Sequence, residues 1–140
     1  MMSYMYNSIC KVNQSQSPRR NALGRKDFNM KVRNMESPRT GREVANQFII
    51  EGDGKTIFQS YNSTIAVIDW NEKTVKIGDD WNYSTTTGKY RNAFFYDNDF
   101  SDMSNSKDMN QIMKKVDEDG FALVTNRLFN GDVLFTVTRL

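Results

Sequence analysis

The chain has 140 residues, with 19 Lys and Arg against 17 Asp and Glu, one cysteine and no histidine. The lack of histidine excludes Ser-His-Asp and Cys-His catalysis and Cys₂His₂ zinc sites. A single cysteine excludes an intrachain disulfide framework and a cage of thiolate ligands for a metal. We therefore expect a protein that is not an enzyme and that has no cofactor and no metal site.

Charge divides the chain into two parts. Residues 1–45 carry nine basic and three acidic side chains, a net charge of +6, and residues 46–140 carry a net charge of −4. Residues 7–27 are also rich in Asn, Gln and Ser, so they have little apolar surface to offset the entropy of ordering. We expect a basic, polar arm over residues 1–27 and a single domain over residues 28–140.

The amino-terminal third contains two similar basic turns. Ser17-Pro18-Arg19-Arg20 is echoed by Ser37-Pro38-Arg39-Thr40, and a Gly-Arg pair follows each. Proline disfavours helix in the residue before it, so both segments read as turns that present arginines. These turns could lie along a phosphate backbone or an acidic protein groove, or they could simply be solvated. The candidate basic residues of the arm are Arg19, Arg20, Arg25, Lys26, Arg39 and Arg42.

Short runs with β-strand patterns follow, separated by connections of hairpin length. Alternation from Phe28 to Val32 predicts the first strand, and a turn at Glu51-Gly52-Asp53-Gly54 follows the second. Such short connections favour an antiparallel meander over βαβ units. The other predicted strands are Val44–Glu51, Lys55–Ser60, Thr64–Trp70 and Thr74–Ile77.

Two helices and a hairpin are predicted after this meander. Ser84 is a candidate N-cap for a short helix that runs to Phe95. An amphipathic helix is predicted from Lys107 to Glu118, with Ser106 as its N-cap and Gly120 as its C′ residue. The dipeptide Asn130-Gly131 then predicts a hairpin that pairs Leu128 with Val133, Asn126 with Phe135, and Val124 with Val137.

The predicted hairpin has apolar residues on both faces. Leu123, Leu134 and Leu140 lie opposite the face of Val124 and Val137. Either a core covers both faces, which is the interpretation we favour, or one face meets a partner. The fold class expected is α+β: a small antiparallel sheet of five to seven strands, one amphipathic helix, one short helix and an extended basic arm.

Aromatic residues are concentrated between residues 81 and 100, among basic ones. Trp81, Tyr90 and Phe94 are expected in the core beneath the sheet. Aromatic and basic side chains together also stack on bases and dominate protein interfaces. The candidate contact residues are Tyr83, Lys89, Arg91 and Tyr96.

Acidic residues make up a second candidate surface, which could act as an electrostatic mimic of nucleic acid. Asp97, Asp99 and Ser101 stand at positions 1, 3 and 5 of a calcium-type loop, with Asp108 at position 12. Asp102 stands at position 6, where that loop needs glycine, so solvation is expected. The residues of this surface are Asp97, Asp99, Asp102, Asp108, Asp117, Glu118 and Asp119.

Three strings between Thr40 and Phe94 resemble a family of small, single-domain bacteriophage proteins of uncharacterised function. They are Thr40-Gly41-Arg42-Glu43-Val44-Ala45-Asn46-Gln47-Phe48, Phe58-Gln59-Ser60-Tyr61-Asn62-Ser63-Thr64-Ile65-Ala66, and Trp81-Asn82-Tyr83-Ser84-Thr85-Thr86-Thr87-Gly88-Lys89-Tyr90-Arg91-Asn92-Ala93-Phe94. Asn82 stands where the family pattern has aspartate. The resemblance implies a phage origin and a host-cell setting, and it supplies no reaction.

The expected function is therefore that of a phage-encoded, non-catalytic binding protein in the host cytoplasm. Its most concrete form is an inhibitor of a host defence nuclease, comparable to an anti-CRISPR protein, which docks on a protein or ribonucleoprotein. One alternative is a virion or assembly component whose arm orders against neighbouring subunits, in which case oligomers form. Another is a nucleic-acid-binding accessory protein that acts through the arm. No apolar run approaches the length of a membrane span, so no membrane partner is expected.

Overall fold

A computed structural model describes residues 30–128 and 133–140, which form a seven-stranded sheet with helices packed on one face. The strand order is β1-β2-β3-β4-β5-β7-β6. In chain order the elements are β1 (Lys31–Glu36), β2 (Glu43–Gly52), β3 (Lys55–Ser60), β4 (Ser63–Asp69), β5 (Thr74–Ile77), α1 (Thr85–Asp97), a 3₁₀ turn (Ser101–Met103), α2 (Ser106–Asp119), β6 (Ala122–Asn126) and β7 (Val133–Arg139).

The first five strands form the antiparallel meander that the short connections predict. The sheet as a whole is mixed, because β7 pairs parallel to β5, from Thr74 with Thr136 to Ile77 with Arg139. The prediction of a purely antiparallel sheet was therefore wrong at this one pairing. The chain leaves the sheet after β5 to form both helices and returns as β6 at the edge, so β7 fits between β5 and β6.

The pairing of β6 with β7 differs from the prediction by two residues. Asn126 pairs with Val133, Val124 with Phe135, and Ala122 with Val137. The chain leaves the ladder after Asn126 because its side-chain amide donates to Asn98 O (2.8 Å) and accepts from Leu128 N (2.9 Å). A shift of two residues leaves every side chain on its predicted face. The predicted turn at Asn130-Gly131 lies outside the described residues.

Capping side chains define where both helices begin. Ser84 caps α1, accepting from Thr87 N at 3.1 Å, as predicted. The N-cap of α2 is Asn105 rather than the predicted Ser106, because Asn105 has extended backbone and its Oδ1 accepts from Asp108 N at 2.8 Å. Gly120 ends α2 in the left-handed conformation, which confirms its predicted role. Within the described residues no helix has the length and apolarity that a membrane crossing needs.

The core lies between the helices and one face of the sheet. Phe58, Ile68, Val75 and Phe135 point from the sheet into it, and Phe94 of α1 stacks on Phe58 at 5.6 Å between ring centroids. Met109, Met113 and Val116 of α2 fill the other half, at the spacing that predicted an amphipathic helix. Tyr90 and Phe94 are buried and Trp81 packs partly buried against the cluster, as expected for all three.

The opposite face, here called the outer face, is not covered by any described element. The core that we favoured on both faces of the β6–β7 hairpin was therefore wrong, since Leu123, Leu134 and Leu140 are each more than half exposed. An apolar row crosses the outer face from the edge strand inward, with Val32 paired to Ile50, Ile50 to Ile57, and Ile57 to Val67.

Of the two basic turns, the structure describes the second. Ser37–Arg42 forms the loop between β1 and β2, where Ser37 Oγ accepts from Arg39 N at 3.2 Å and Gly41 N donates to Ser37 O at 2.8 Å. Arg39 and Arg42 are exposed, so this segment presents arginines as predicted. The first turn, the residues Arg19, Arg20, Arg25 and Lys26, and the predicted strand start at Phe28 lie outside the described residues.

Candidate functional site

One side of helix α1 lines two neighbouring depressions on the helix-covered side of the sheet. Thr85, Lys89, Asn92 and Tyr96 follow one another at spacings of four, three and four residues, so they form a single stripe. Lys89 and Asn92 line both depressions. We call the larger depression, between α1 and strands β1 and β2, the α1 groove, and the smaller one, at the start of α1, the polar pocket.

The α1 groove has a volume of about 930 Å³. It exists because α1 packs over β3 and leaves part of β1 and β2 uncovered on that face. Its floor is apolar, with Met35, Ile49 and Phe94, and Tyr96 is 70% exposed at its rim. Its charged lining residues are of both signs: Arg33, Lys89, Glu36, Glu51 and Asp97.

Asp97 lines the groove, and its titration is perturbed. Its pKa is raised above the ordinary value chiefly by burial, and the charge of Asp99 raises it further, while the cation of Arg33 opposes both effects. The carboxylate of Asp97 thus shares the groove with an arginine that only partly offsets the cost of its desolvation. A basic group brought by a ligand would favour its charged form.

The polar pocket has a volume of about 650 Å³ and is lined by Asn82, Ser84, Thr85, Gly88, Lys89, Asn92 and Ser106. These residues carry one cation and no carboxylate. Thr85 and Ser106, the first residues of α1 and α2, both line this pocket, and the first N–H groups of a helix have no partner within the helix. Ser106 Oγ accepts from Asn92 Nδ2 and from Arg91 Nη2, each at 3.2 Å, which leaves its own O–H to donate elsewhere.

Arg91, expected on a contact surface, is fully buried, and that part of the prediction was wrong. Its Nη1 donates to Trp81 O at 2.7 Å, and its Nη2 donates to Asn92 Oδ1 at 2.9 Å. The guanidinium carbon lies 5.3 Å from the centroid of the Trp81 ring. Burial alone lowers the pKa of Arg91 to about 10, so the side chain stays charged at neutral pH.

The helical spacing in the sequence contains the signal that Arg91 is buried. It lies four residues after Thr87 and four before Phe95, and both of these are buried on the same side of α1. Residue type by itself places Arg91 at the surface, because arginine is seldom buried without a carboxylate partner. No ion pair between described residues includes Arg91.

The other contact candidates are exposed. Lys89 reaches over the ring of Tyr90, with 5.4 Å from Nζ to the ring centroid, and lines both depressions. Tyr96 lies at the rim of the α1 groove. Tyr83 is 76% exposed in the turn before α1 and does not line the groove. The structure therefore brings Lys89 and Tyr96 together on one surface and leaves Tyr83 outside it.

The acidic candidates are distributed over several places rather than gathered in one patch. Asp102 accepts from Thr125 N and Oγ1, which ties the 3₁₀ turn to β6. Asp108 lies in the first turn of α2, and Asp117, Glu118 and Asp119 lie in its last turn. Asp117 pairs with Arg139 at 3.1 Å, and Asp119 pairs with Lys115 at 2.8 Å.

Among the described residues there is no metal-binding cluster, and one buried amide is unpaired. Within residues 30–128 and 133–140 no group of three or more His, Cys, Asp and Glu residues could hold a metal ion. Gln47 on β2 is buried, and neither polar atom of its amide has a hydrogen-bond partner in the described structure. Nothing in the sequence marks Gln47 as buried and unpaired.

Residues 30–111 match the model of a family of unknown function, DUF8033. The match covers more than half of the chain, and the chain therefore belongs to this family. It spans β1 to the first half of α2 and so includes every residue that lines the groove and the pocket. No curated protein and no solved structure matches the chain.

Proposed function

We propose that this chain is a non-catalytic binding protein that docks on another protein through the α1 groove. The observation that supports this most directly is the groove itself: an apolar floor, charges of both signs along its sides, and an exposed tyrosine at its rim. Sites for small molecules are mostly apolar, with few polar groups, whereas tyrosine and arginine are typical of protein interfaces.

A protein partner fits the groove better than nucleic acid does. Three carboxylates, of Glu36, Glu51 and Asp97, line it beside the cations of Arg33 and Lys89. A phosphate backbone would meet these carboxylates at close range, where like charges repel. A protein segment with both acidic and basic side chains complements them.

The most concrete version is a phage-encoded inhibitor of a host defence nuclease, comparable to an anti-CRISPR protein, that acts in the host cytoplasm. Its support is the resemblance of three sequence strings to phage proteins, together with the separation of charge along the chain. The virion component and the nucleic-acid-binding accessory protein are the competing functions, and both depend on the basic arm.

The decisive experiment is capture of partners from infected host cells with the full chain and two matched tyrosine variants. Tyr96→Ala removes the aromatic ring at the groove rim, and Tyr83→Ala removes an equally exposed ring outside the groove. We expect to capture one host protein in stoichiometric amount with both the wild type and Tyr83→Ala. Its affinity for Tyr96→Ala should be at least roughly tenfold lower than for the wild type, as for an interface hot spot.

Three other results would contradict this proposal. Equal losses for the two tyrosine variants would remove the groove from the interface. Peptides of this chain in purified virions would favour the assembly component. Tight binding to DNA or RNA with a steep dependence on salt would favour the nucleic-acid-binding protein.

A further inference from the structure

The buried charge of Arg91 has no counter-ion within the described structure. Its partners are neutral: a backbone carbonyl, an amide oxygen, a hydroxyl and an indole ring. Its Nε is buried and has no hydrogen-bond partner among the described residues. Buried charges are normally paired with an opposite charge, so this arginine needs an explanation beyond packing.

The guanidinium of Arg91 contacts residues that line the polar pocket. Its Nη2 contacts the side chains of Asn92 and Ser106, and both of these line the pocket. A third lining residue, Gly88, is so close that a Cβ built on it would lie 3.7 Å from Nη2. The absence of a side chain at Gly88 therefore leaves the guanidinium close to the space of the pocket.

The polar pocket offers one cation and several hydrogen-bond donors. Lys89 supplies an ammonium, and Ser106 supplies an O–H that is not needed for its contacts with Arg91 and Asn92. The first turn of α1 contains no acidic residue, and since Ser84 caps the N–H of Thr87, the N–H groups of Thr85 and Thr86 remain for a ligand. Helix N-termini favour anions, and lysine and arginine complement phosphate oxygens.

We propose that the polar pocket binds a doubly charged oxyanion of the phosphate type. Arg91 supplies a fixed positive charge from below, Lys89 a mobile one from the rim, and Ser106 and the start of α1 donate hydrogen bonds. Phosphate supplies the missing counter-charge for the guanidinium. This site goes beyond the proposed function and does not depend on it, because a small anion would bind whether or not a protein lies in the groove.

The test is a titration of the full ¹⁵N-labelled chain with inorganic phosphate, followed through backbone amide shifts. We expect saturable shifts at Ser84–Gly88 and at Ser106. Lys89→Gln should weaken binding roughly tenfold, because it removes a charge-assisted contact. Lys114→Gln, which removes an exposed lysine on α2 away from the pocket, should change the Kd by less than about twofold.

A second variant tests the role of Arg91 without removing it. Gly88→Ala places a methyl group between the guanidinium and the pocket at ordinary contact distances. Alanine favours helix, so the variant should remain folded. We expect phosphate binding to fall at least roughly fivefold, because the added methyl group keeps the anion farther from the buried charge. Unchanged phosphate binding in both Gly88→Ala and Lys89→Gln, or shifts that do not saturate in the wild type, would overturn the proposal.

Two further probes identify the source of the oxyanion. A capped phosphoserine that binds more tightly than inorganic phosphate would assign the site to a phosphorylated side chain, and equal affinities would assign it to free phosphate. The second probe is a short thymidine oligonucleotide. If it shifts the same amides at a lower concentration than phosphoserine or inorganic phosphate does, the site binds a nucleic-acid backbone, and its assignment to a phosphate monoester is overturned.

Discussion

At the scale of a single residue, the backbone of Asp99 suits the fold, whereas its partly buried carboxylate destabilises the fold. Its backbone is left-handed, with φ of 68°, and its carbonyl accepts from Arg127 N at 3.1 Å. Aspartate and asparagine both tolerate this conformation. The carboxylate, however, is partly buried, and this burial raises the pKa of Asp99 while its charge helps to raise the pKa of Asp97. The backbone role needs no charge.

Asp99→Asn should therefore stabilise the protein at neutral pH. A carboxyl group whose pKa rises on folding destabilises the folded state when it is ionised, and this cost disappears below the ordinary pKa of 3.8, where both states are protonated. We expect the variant to gain less than about 1 kcal/mol at pH 7, because solvent screens the charge. The gain should shrink as the pH falls and be close to zero at about pH 3.

Urea unfolding of both proteins at the two pH values measures this difference. Glu72→Gln, at an exposed carboxylate in the turn after β4, is the control and should change the free energy of unfolding little at pH 7. A loss of stability in Asp99→Asn at pH 7 would show that the carboxylate makes a favourable contact.

At the scale of secondary-structure elements, the packing around two glycines leaves no room for a side chain at one of them and enough room at the other. Gly78 follows β5, and its N–H donates to Ile65 O at 2.9 Å. A Cβ at Gly78 would collide with the backbone carbonyl of Thr64, which cannot move without disturbing β4. A Cβ at Gly88 would meet only the guanidinium of Arg91 at ordinary contact distances. Glycine is thus required at the first position and not at the second.

Alanine substitutions at these two glycines should have opposite effects on stability. Gly78→Ala should lower the free energy of unfolding by at least about 2 kcal/mol, because backbone must shift to admit the methyl group. Gly88→Ala should raise it by about 0.5–1 kcal/mol, because alanine is the better residue in a helix. Urea midpoints at constant m-value give both numbers. A neutral Gly78→Ala would show that β4 and the end of β5 are less tightly joined than described.

At the scale of the whole molecule, the fold is a sheet covered by helices on one side. Leu134 and Phe135 are neighbours on β7, yet Leu134 is 58% exposed on the outer face and Phe135 is completely buried beneath the helices. The ring of Phe135 packs edge-on against those of Phe100 and Trp70, at 5.0 Å and 5.7 Å between centroids. Stability should therefore depend on one face of the sheet much more than on the other.

Leu134→Lys and Phe135→Ala test this asymmetry at adjacent positions. We expect Leu134→Lys to change the free energy of unfolding by no more than about 0.5 kcal/mol, because the side chain stays in solvent. Phe135→Ala should cost about 3–5 kcal/mol through lost burial and the cavity it leaves. Chemical denaturation measures both values. A large loss for Leu134→Lys would mean that another part of the chain, or a second copy, covers the outer face.

Local patterns in the sequence predict most of the elements. The bounds of β3 and β5, the cap of α1 at Ser84 and the end of α2 at Gly120 all follow from turn residues and capping chemistry. The strand pairing through β5 follows from connections too short for anything except hairpins. The sequence predicts two residues of the candidate site, Lys89 and Tyr96, because residue type and the neighbouring residues indicate which side chains of a helix are exposed.

Three features of the fold depend on contacts between segments that are distant in the chain, and only the tertiary structure reveals them. The place of β7 between β5 and β6 pairs it with β5, from which both helices and β6 separate it in the chain. The partners of the buried Arg91 include Trp81 and Ser106, which belong to the turn before α1 and to the start of α2. The described residues leave the outer face open because both helices pack on the other face. By itself the sequence determined composition, most elements, the meander through β5 and the separation of charge, because these depend on residues close in the chain; the pairing of β7 with β5 and the partners of Arg91 join distant segments, so only the folded chain decides them.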